Sequence, residues 1–166
     1  QFDDVWEGIN KALKVKLDPV KLNVILMKGI NGDEILDFAK LTVDYPLIVR
    51  FIELFPTNKR SMKLANSSTI RNDEVEKKII ENFGIIENAS EIKGNGPAQY
   101  YKIKNSKGLI GFISSYSKNF CNNCNRIRID CAGRISPCLF SKHVYDMRVL
   151  LRKGYDEEAS LKVIKA

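Results

Sequence analysis

Short apolar blocks separated by polar turns run along the chain and predict alternating helices and strands. Residues 1–14 carry an apolar stripe at helical spacing. The runs KLNVILMK at 21–28 and LIVRFIELF at 47–55 have the length of strands. A helix over 34–41, capped by Asp33, is predicted between them. This order predicts a βαβ unit with two parallel strands, in which functional groups collect at the carboxyl ends of the strands.

The pattern changes in the second half of the chain. Residues 57–70 are polar and predict a loop, followed by a helix over 73–83 that ends at Gly84. From about residue 90 the pattern becomes antiparallel, with two strands forming a β-hairpin, the cysteine-rich segment and then helices. The ranges predicted for these strands and helices are 99–104, 109–115, 144–153 and 156–166.

Length, composition and charge narrow the class of protein. The 166 residues fit one domain or a piece of a larger one. A net charge of +7 favours polyanionic partners such as nucleic acids, nucleotides or phosphates. No apolar run approaches ~20 residues, and the start resembles no export signal, so a cytoplasmic protein without a membrane partner is expected. The chain does not begin with Met and both ends have helical patterns, which predicts a piece of a longer protein.

Four cysteines lie within 18 residues, with the spacing C-x2-C-x6-C-x6-C. In a chain without an export signal this favours a metal site over disulfides. All four could bind zinc, although zinc ribbons usually repeat C-x2-C in both halves. Cys121, Cys124 and Cys138 could instead hold an iron–sulfur cluster with Cys131 as a bystander. Cys131 and Cys138 could also be buried small residues.

Two arginines follow the C-x2-C pair closely. If the stretch 126–130 alternates as a strand before an Ala132-Gly133 turn, Arg126 and Arg128 share one face. Two guanidinium groups on one face form a fork for phosphate oxygens. The alternative is a solvated strand face.

The cysteine segment FCNNCNRIRIDCAGRISPCLF resembles a known family motif. It is similar to the C-terminal cluster motif of the molybdenum cofactor biosynthesis protein A family, the radical S-adenosylmethionine GTP 3′,8-cyclases. It matches that family's pattern F-C-x2-C-N-R-x-R-x4-G-x4-C-L-F at every fixed position. The resemblance extends through VKLNVILMKGIN, VRFIELFP, GPAQYYKI and GLIGFIS, and so covers nearly the whole chain.

The resemblance implies a role for several residues. Cys121, Cys124 and Cys138 would bind an auxiliary 4Fe–4S cluster whose open iron binds the guanine of GTP. The GTP-binding residues would be Lys21, Arg50, Arg126, Ile127 and Arg128. For Arg50, an ion pair with Glu53 or another core carboxylate is an equal alternative. Phe55 stands where the family often has a Met in the S-adenosylmethionine pocket, and Gln99 stands where Arg is common.

The resemblance also implies a fold and an activity. The expected α/β fold is the second half of an incomplete (β/α) TIM-type barrel over 1–90, followed by an antiparallel, cluster- and substrate-binding region over 91–166. The complete enzyme would convert GTP to (8S)-3′,8-cyclo-7,8-dihydroguanosine 5′-triphosphate for molybdenum cofactor biosynthesis. It would use S-adenosylmethionine and a second 4Fe–4S cluster, whose C-x3-C-x2-C motif this chain lacks. The chain is therefore expected to hold no catalytic residue and to be inactive alone.

The resemblance further implies partners. They are GTP, the downstream cyclic pyranopterin monophosphate synthase and a second copy of the chain in a homodimer, without nucleic acid. The competing hypothesis is a zinc-containing basic module that binds RNA or DNA, with Tyr100, Tyr101 and Phe112 stacking on bases.

Overall fold

The computed structural model describes most of the chain in two compact units, Gln1–Asn123 and Cys124–Ala166. The ranges that it describes are 2–56, 59–89, 96–118, 126–138, 141, 143–152, 154, 156–158 and 161–162. No helix of these residues is long and apolar enough to cross a membrane. The sequence predicted a functional boundary near residue 90, whereas the two compact units divide between Asn123 and Cys124. The functional boundary stays a prediction.

The first unit alternates helices and strands before it ends in a hairpin. Its elements are α1 (Phe2–Lys14), β1 (Lys21–Val24), α2 (Ile35–Asp44), β2 (Ile48–Ile52), α3 (Lys59–Ser68), α4 (Asn72–Phe83), β3 (Ile86–Asn88), β4 (Gln99–Ile103) and β5 (Leu109–Ile113). The two predicted strands of the βαβ unit, the helix between them and the hairpin are thereby confirmed.

These strands form one mixed sheet in the order β1-β2-β5-β4-β3. β1 pairs parallel with β2, and β2 pairs parallel with β5. The strands β3, β4 and β5 then pair antiparallel in sequence. The predicted α/β class is confirmed as a mixed α/β fold. The hairpin belongs to the same sheet as the βαβ unit because β5 lies directly beside β2.

The hydrophobic core lies on one face of the sheet, under helices α2 and α4. Val49 and Phe51 of β2 alternate toward this face, as do Ile110 and Phe112 of β5, and all four are buried. The rings of Phe51 and Phe112 stack with their centroids 6.0 Å apart. Burial of these apolar side chains is the main force that fixes the helices on the sheet.

Three local predictions were wrong. The helix predicted over 144–153 begins only at Met147, because Tyr145–Asp146 pairs as a strand. Asp33 does not cap α2, since the N-cap is Glu34, which makes no side-chain cap bond. The preceding turn is held by Asn31 instead, whose Oδ1 accepts from the Met27 amide at 2.8 Å. Residues 57–70 were predicted as a loop, but α3 begins at Lys59. This helix is mostly polar, with Ala65 buried, and an isolated bridge between Thr69 and Met27 follows it.

The second unit contains a small antiparallel sheet in the order β6-β7-β8, followed by a helix. Its elements are β6 (Arg128–Ile129), β7 (Arg134–Ser136), β8 (Tyr145–Asp146) and α5 (Met147–Arg152). The predicted turn at Ala132-Gly133 is confirmed. Gly133 has a φ of 71° there, a conformation that glycine adopts without the clash a Cβ would cause.

Two neighbouring residues of α4 differ in burial, and we expect their substitution to change stability by different amounts. Ile79 is fully buried under the sheet, whereas Ile80 is 38% exposed. We expect Ile79→Ala to lower the free energy of unfolding by about 2–5 kcal/mol, because it leaves a cavity as well as losing apolar burial. Chemical denaturation would measure it. Ile80→Ala is the matched control and should cost less than about 1.5 kcal/mol; equal losses would show that α4 does not pack through Ile79.

Candidate functional site

The face of the sheet opposite the core carries the polar side chains of Lys21, Asn23 and Arg50 beside the buried apolar Ile48. Neighbouring residues across a sheet point to the same side, and residues two apart along a strand share a face. The parallel register pairs Lys21 with Ile48 and Asn23 with Arg50. These residues therefore lie on the face that α2 and α4 leave uncovered, which we call the open face. The structure thus brings the predicted residues Lys21 and Arg50 to one face of two adjacent strands.

Arg50 is held on the open face by a neighbouring strand. It is half-buried, and its Nε donates a hydrogen bond to Asn23 Oδ1 at 2.8 Å. Among the residues that the structure describes, Arg50 makes no ion pair with Glu53 or another carboxylate. The described residues therefore give no support to the alternative of a core ion pair for Arg50.

Glu53 lies one residue beyond β2 and is only 1% exposed. Its Oε1 accepts from the Asn72 amide at 3.0 Å and from Ser117 Oγ at 2.6 Å. Its Oε2 accepts from the amides of Tyr116 at 2.8 Å and Ser117 at 2.7 Å. The carboxylate is therefore fully hydrogen-bonded, and it joins the end of β2 to the start of α4 and to the segment after β5.

The hydrogen bonds decide the charge state of Glu53. Burial by itself would raise the pKa of the carboxyl, because a charge is costly away from water. The donors from Asn72, Ser117 and Tyr116 outweigh this effect and hold the pKa below its ordinary value of 4.5. Glu53 is accordingly an anion at neutral pH.

The polar network around Glu53 extends to further side chains. Asn72 Nδ2 donates to Ser114 Oγ at 3.1 Å, and Ser115 Oγ donates to the Glu53 carbonyl at 2.9 Å. Phe55 follows two residues after Glu53 and is partly buried. No contact in the described residues tests the predicted S-adenosylmethionine role of Phe55, which stays a prediction.

The predicted cluster segment is described only in part. Cys121 and Cys124 lie outside the described residues. Cys138 is exposed, and its carbonyl accepts from Ser136 Oγ at 2.7 Å. Cys131 is exposed in the turn. In the part of the chain that the structure describes, no group of three or more His, Cys, Asp or Glu side chains could hold a metal ion. The predicted ligand set therefore stays a prediction.

The predicted GTP-binding arginines of the second unit lie at its surface. Arg126, Ile127 and Arg128 are all exposed, Ile127 by 48%. β6 pairs with β7 so that Arg128 lies opposite Ser136. The pairing ends there, because residues 126–127 and 137–138 are not part of the strands. Cys138 follows the end of β7 by two residues.

The sequence did not reveal the roles of Asn23 and Gly111, and it indicated Glu53 only as a possible ion-pair partner of Arg50. The signal for Glu53 was present, since it is the one carboxylate in the apolar run LIVRFIELF. Gly111 is a glycine inside a strand, which often marks a close approach of other groups. Asn23 carried no such signal, because its partner lies 27 residues away on another strand.

The fold and site define a mixed α/β protein with cationic groups on an open sheet face. The family model for Molybdenum Cofactor Synthesis C matches residues 47–166, and the chain belongs to this family. The chain is 42% identical over 164 residues to GTP 3′,8-cyclase from Desulforamulus reducens and 39% identical over 165 residues to that from Heliobacterium modesticaldum. Both matches cover 99% of this chain and 50% of the relative.

A third relative shows a similar identity and coverage. The chain is 42% identical over 149 residues to GTP 3′,8-cyclase from Pelotomaculum thermopropionicum, covering 90% of this chain and 46% of that protein. The chain therefore spans about half the length of these curated relatives. The family resemblance stated from the sequence is confirmed.

Glu53 is the basis of a prediction about stability. Glu53→Gln places an amide NH2 group against three backbone amides and a hydroxyl and removes the charge that they solvate. We expect the free energy of unfolding at pH 7 to fall by about 2–4 kcal/mol. Since the pKa of Glu53 is lowered by folding, its contribution is present above about pH 4.5 and is lost as the pH falls through the folded pKa. The gap between wild type and variant should shrink there.

Chemical denaturation of both proteins between pH 7 and pH 3 would measure this gap. Glu87→Gln on β3 is the matched control, because Glu87 is exposed and should change stability by less than about 0.5 kcal/mol. A gap that stays constant across the pH range would show that the charge of Glu53 contributes nothing.

Proposed function

We propose that this chain provides the GTP-binding and auxiliary cluster-binding half of a GTP 3′,8-cyclase, a lyase of molybdenum cofactor biosynthesis. The observation that carries the proposal is the placement of Lys21 and Arg50 on one open sheet face, in a chain whose relatives are GTP 3′,8-cyclases over 99% of its length. The substrate would be GTP and the product (8S)-3′,8-cyclo-7,8-dihydroguanosine 5′-triphosphate.

The fold supports a barrel as the finer architecture. In a (β/α) barrel, one face of each parallel strand packs against helices and the other faces the interior. Within residues 1–90, β1 and β2 are parallel, α2 and α4 cover one face, and Lys21 and Arg50 lie on the other. β5 adds a third parallel strand beside β2. We therefore propose that residues 1–90 form the second half of an incomplete barrel whose interior is the open face. Residues 91–166 would form the cluster- and substrate-binding region.

The basic side chains would bind the triphosphate of GTP. Lys21 and Arg50 on the open face would be GTP-binding residues of the first unit. Arg126, Ile127 and Arg128 would be those of the second unit. Guanidinium groups suit this task because their planar fork matches two phosphate oxygens at once. Fixed cations also orient GTP so that C3′ and C8 are held in position for reaction.

The donor set fits an iron–sulfur cluster. Cys121, Cys124 and Cys138 would hold it, since thiolates are the usual ligands of such clusters. Cys121 and Cys124 have the C-x2-C spacing that such sites use, and Cys138 is exposed beyond the end of β7. Cys131 lies in the turn and would be a bystander. When bound, a 4Fe–4S cluster with three protein ligands supplies an iron that can bind the guanine base.

The radical chemistry would come from outside this chain. S-Adenosylmethionine and a second 4Fe–4S cluster would belong to the complete enzyme, with Phe55 lining the S-adenosylmethionine pocket. The chain would contribute no catalytic residue and would be inactive alone. The product would pass to the cyclic pyranopterin monophosphate synthase, and the complete enzyme would act as a homodimer.

The ligand set predicts different outcomes for two cysteines of one hairpin. After anaerobic reconstitution, we expect Cys138→Ala to lose the iron and the visible absorbance that dithionite bleaches. Cys131→Ala should keep both, because Cys131 is the matched bystander. Iron and sulfide content, together with visible spectra, would measure this. Loss of iron in the Cys131 variant, or a colourless wild-type protein with tightly bound zinc and salt-sensitive RNA binding, would contradict the proposal.

The arginine pair predicts a loss of GTP affinity without a loss of the cluster. Arg126→Ala or Arg128→Ala should weaken GTP binding by about 1–3 kcal/mol, because each removes a charge-assisted contact. Calorimetric titration with GTP would measure it, with iron content determined on the same samples. Arg152→Ala, an exposed arginine in the last turn of α5, is the control. Equal affinities for all four proteins would exclude the arginine pair from the GTP site.

A further inference from the structure

One row of four residues crosses the open face of the sheet. Asn23 of β1 pairs with Arg50 of β2, Arg50 pairs with Gly111 of β5, and Gly111 pairs with Tyr100 of β4. Residues paired in this way project to the same side of a sheet. Arg50 therefore lies in the middle of the row, with one neighbour on each flank.

The Asn23 side of the row fixes the orientation of the guanidinium. Asn23 Oδ1 accepts the hydrogen bond from Nε of Arg50 at 2.8 Å. Nε is the innermost of the three nitrogens, so this bond sets the plane of the group. In the described residues no other hydrogen bond or ion pair of Arg50 is present. The terminal N–H groups can therefore be offered together to one anion.

The absence of a side chain at Gly111 leaves room for the aliphatic part of the Arg50 side chain. A Cβ built on Gly111 would lie 3.0 Å from Arg50 Cγ and 3.0 Å from Tyr100 Cε1. The arginine stem and the tyrosine ring thus lie over the glycine from opposite sides. A methyl group at position 111 would push the flexible arginine stem away, since distances this short are tighter than ordinary van der Waals contact.

We propose that Asn23 and Gly111 are positioning residues that hold the Arg50 guanidinium ready for a polyphosphate group on the open face. The proposal rests on the proposed function for the identity of that group, which is the triphosphate of GTP. Its physical basis is preorganisation. A long arginine side chain loses much conformational freedom when it is ordered, and ordering it before binding removes that cost from the affinity.

A double-mutant cycle separates positioning from general damage to the fold. Calorimetry on the full 166-residue chain would measure the affinity for inorganic tripolyphosphate and for GTP. Asn23→Ala should weaken binding of tripolyphosphate about 3- to 10-fold, and Arg50→Ala by about 10-fold or more. In the Arg50→Ala background, Asn23→Ala should change the affinity by less than about 2-fold, because Asn23 acts through Arg50. An equal loss in both backgrounds would overturn the proposal.

Matched controls and a spectroscopic measurement complete the test. Asn88→Ala, an exposed asparagine on β3 at the other edge of the sheet, should leave both affinities unchanged. Gly111→Ala should weaken binding as Asn23→Ala does, while Gly8→Ala, which meets nothing within 4 Å, should not. The Nε–H resonance of Arg50, assigned by its loss in Arg50→Lys, should exchange faster with water in Asn23→Ala. An unchanged exchange rate would overturn the proposal.

The two probes distinguish this proposal from the proposed function. If wild type binds tripolyphosphate with the expected coupling but does not bind GTP, the positioning role stands and the GTP assignment fails. If GTP binds but the cycle shows no coupling, the GTP assignment stands and the positioning role is overturned. Binding of neither probe overturns the positioning role, since no anion site then exists at Arg50.

Discussion

The buried carboxylate of Glu53 is the interaction on which the arrangement of the first unit depends. Its donors come from two separate parts of the chain, the start of α4 at Asn72 and the segment after β5 at Tyr116 and Ser117. A buried charge without these donors would be strongly unfavourable, so the carboxylate is stable only when both parts are in place. The segment that leads toward Cys121 is thereby tied to the end of β2.

Side chains of β2 alternate between the two faces of the sheet, so the strand contributes both to the core and to the open face. Val49, Phe51 and Glu53 fall on the side of α2 and α4, whereas Ile48 and Arg50 fall on the open face. Because Arg50 and Glu53 are three residues apart, the strand directs them to opposite sides. The Arg50 guanidinium therefore donates a hydrogen bond to Asn23 on the open face. The Glu53 carboxylate accepts hydrogen bonds from backbone amides and a hydroxyl.

The second unit is organised by charged side chains around its own turn. Asp130 accepts from the Ala132 and Arg134 amides at 2.9 and 3.0 Å and pairs with Arg134 Nε at 2.7 Å. Asp146 pairs with Arg148, whose hydrogen bonds lower the pKa of Asp146 to about 2. These contacts are exposed and add little stability singly, but they define the hairpin that presents Arg126 and Arg128.

The sequence by itself determined the elements with strong local signals. The apolar runs of β1, β2 and β5, the helix closed by Gly84 and the glycine turn at Gly133 were predictable, because period, capping and turn chemistry are local. The cysteine spacing and the flanking arginines likewise indicated the kind of site, because the spacing of ligands along the chain is also a local property.

Other features depend on tertiary contacts. Ala65 of the helix Lys59–Ser68 is buried, β5 pairs with β2, and Glu53 and Arg50 hydrogen-bond to residues of other elements. Each of these results depends on contacts between residues far apart in the chain. Such contacts cannot be read from the spacing of residues along the sequence, because that spacing does not show which strands pair in the sheet.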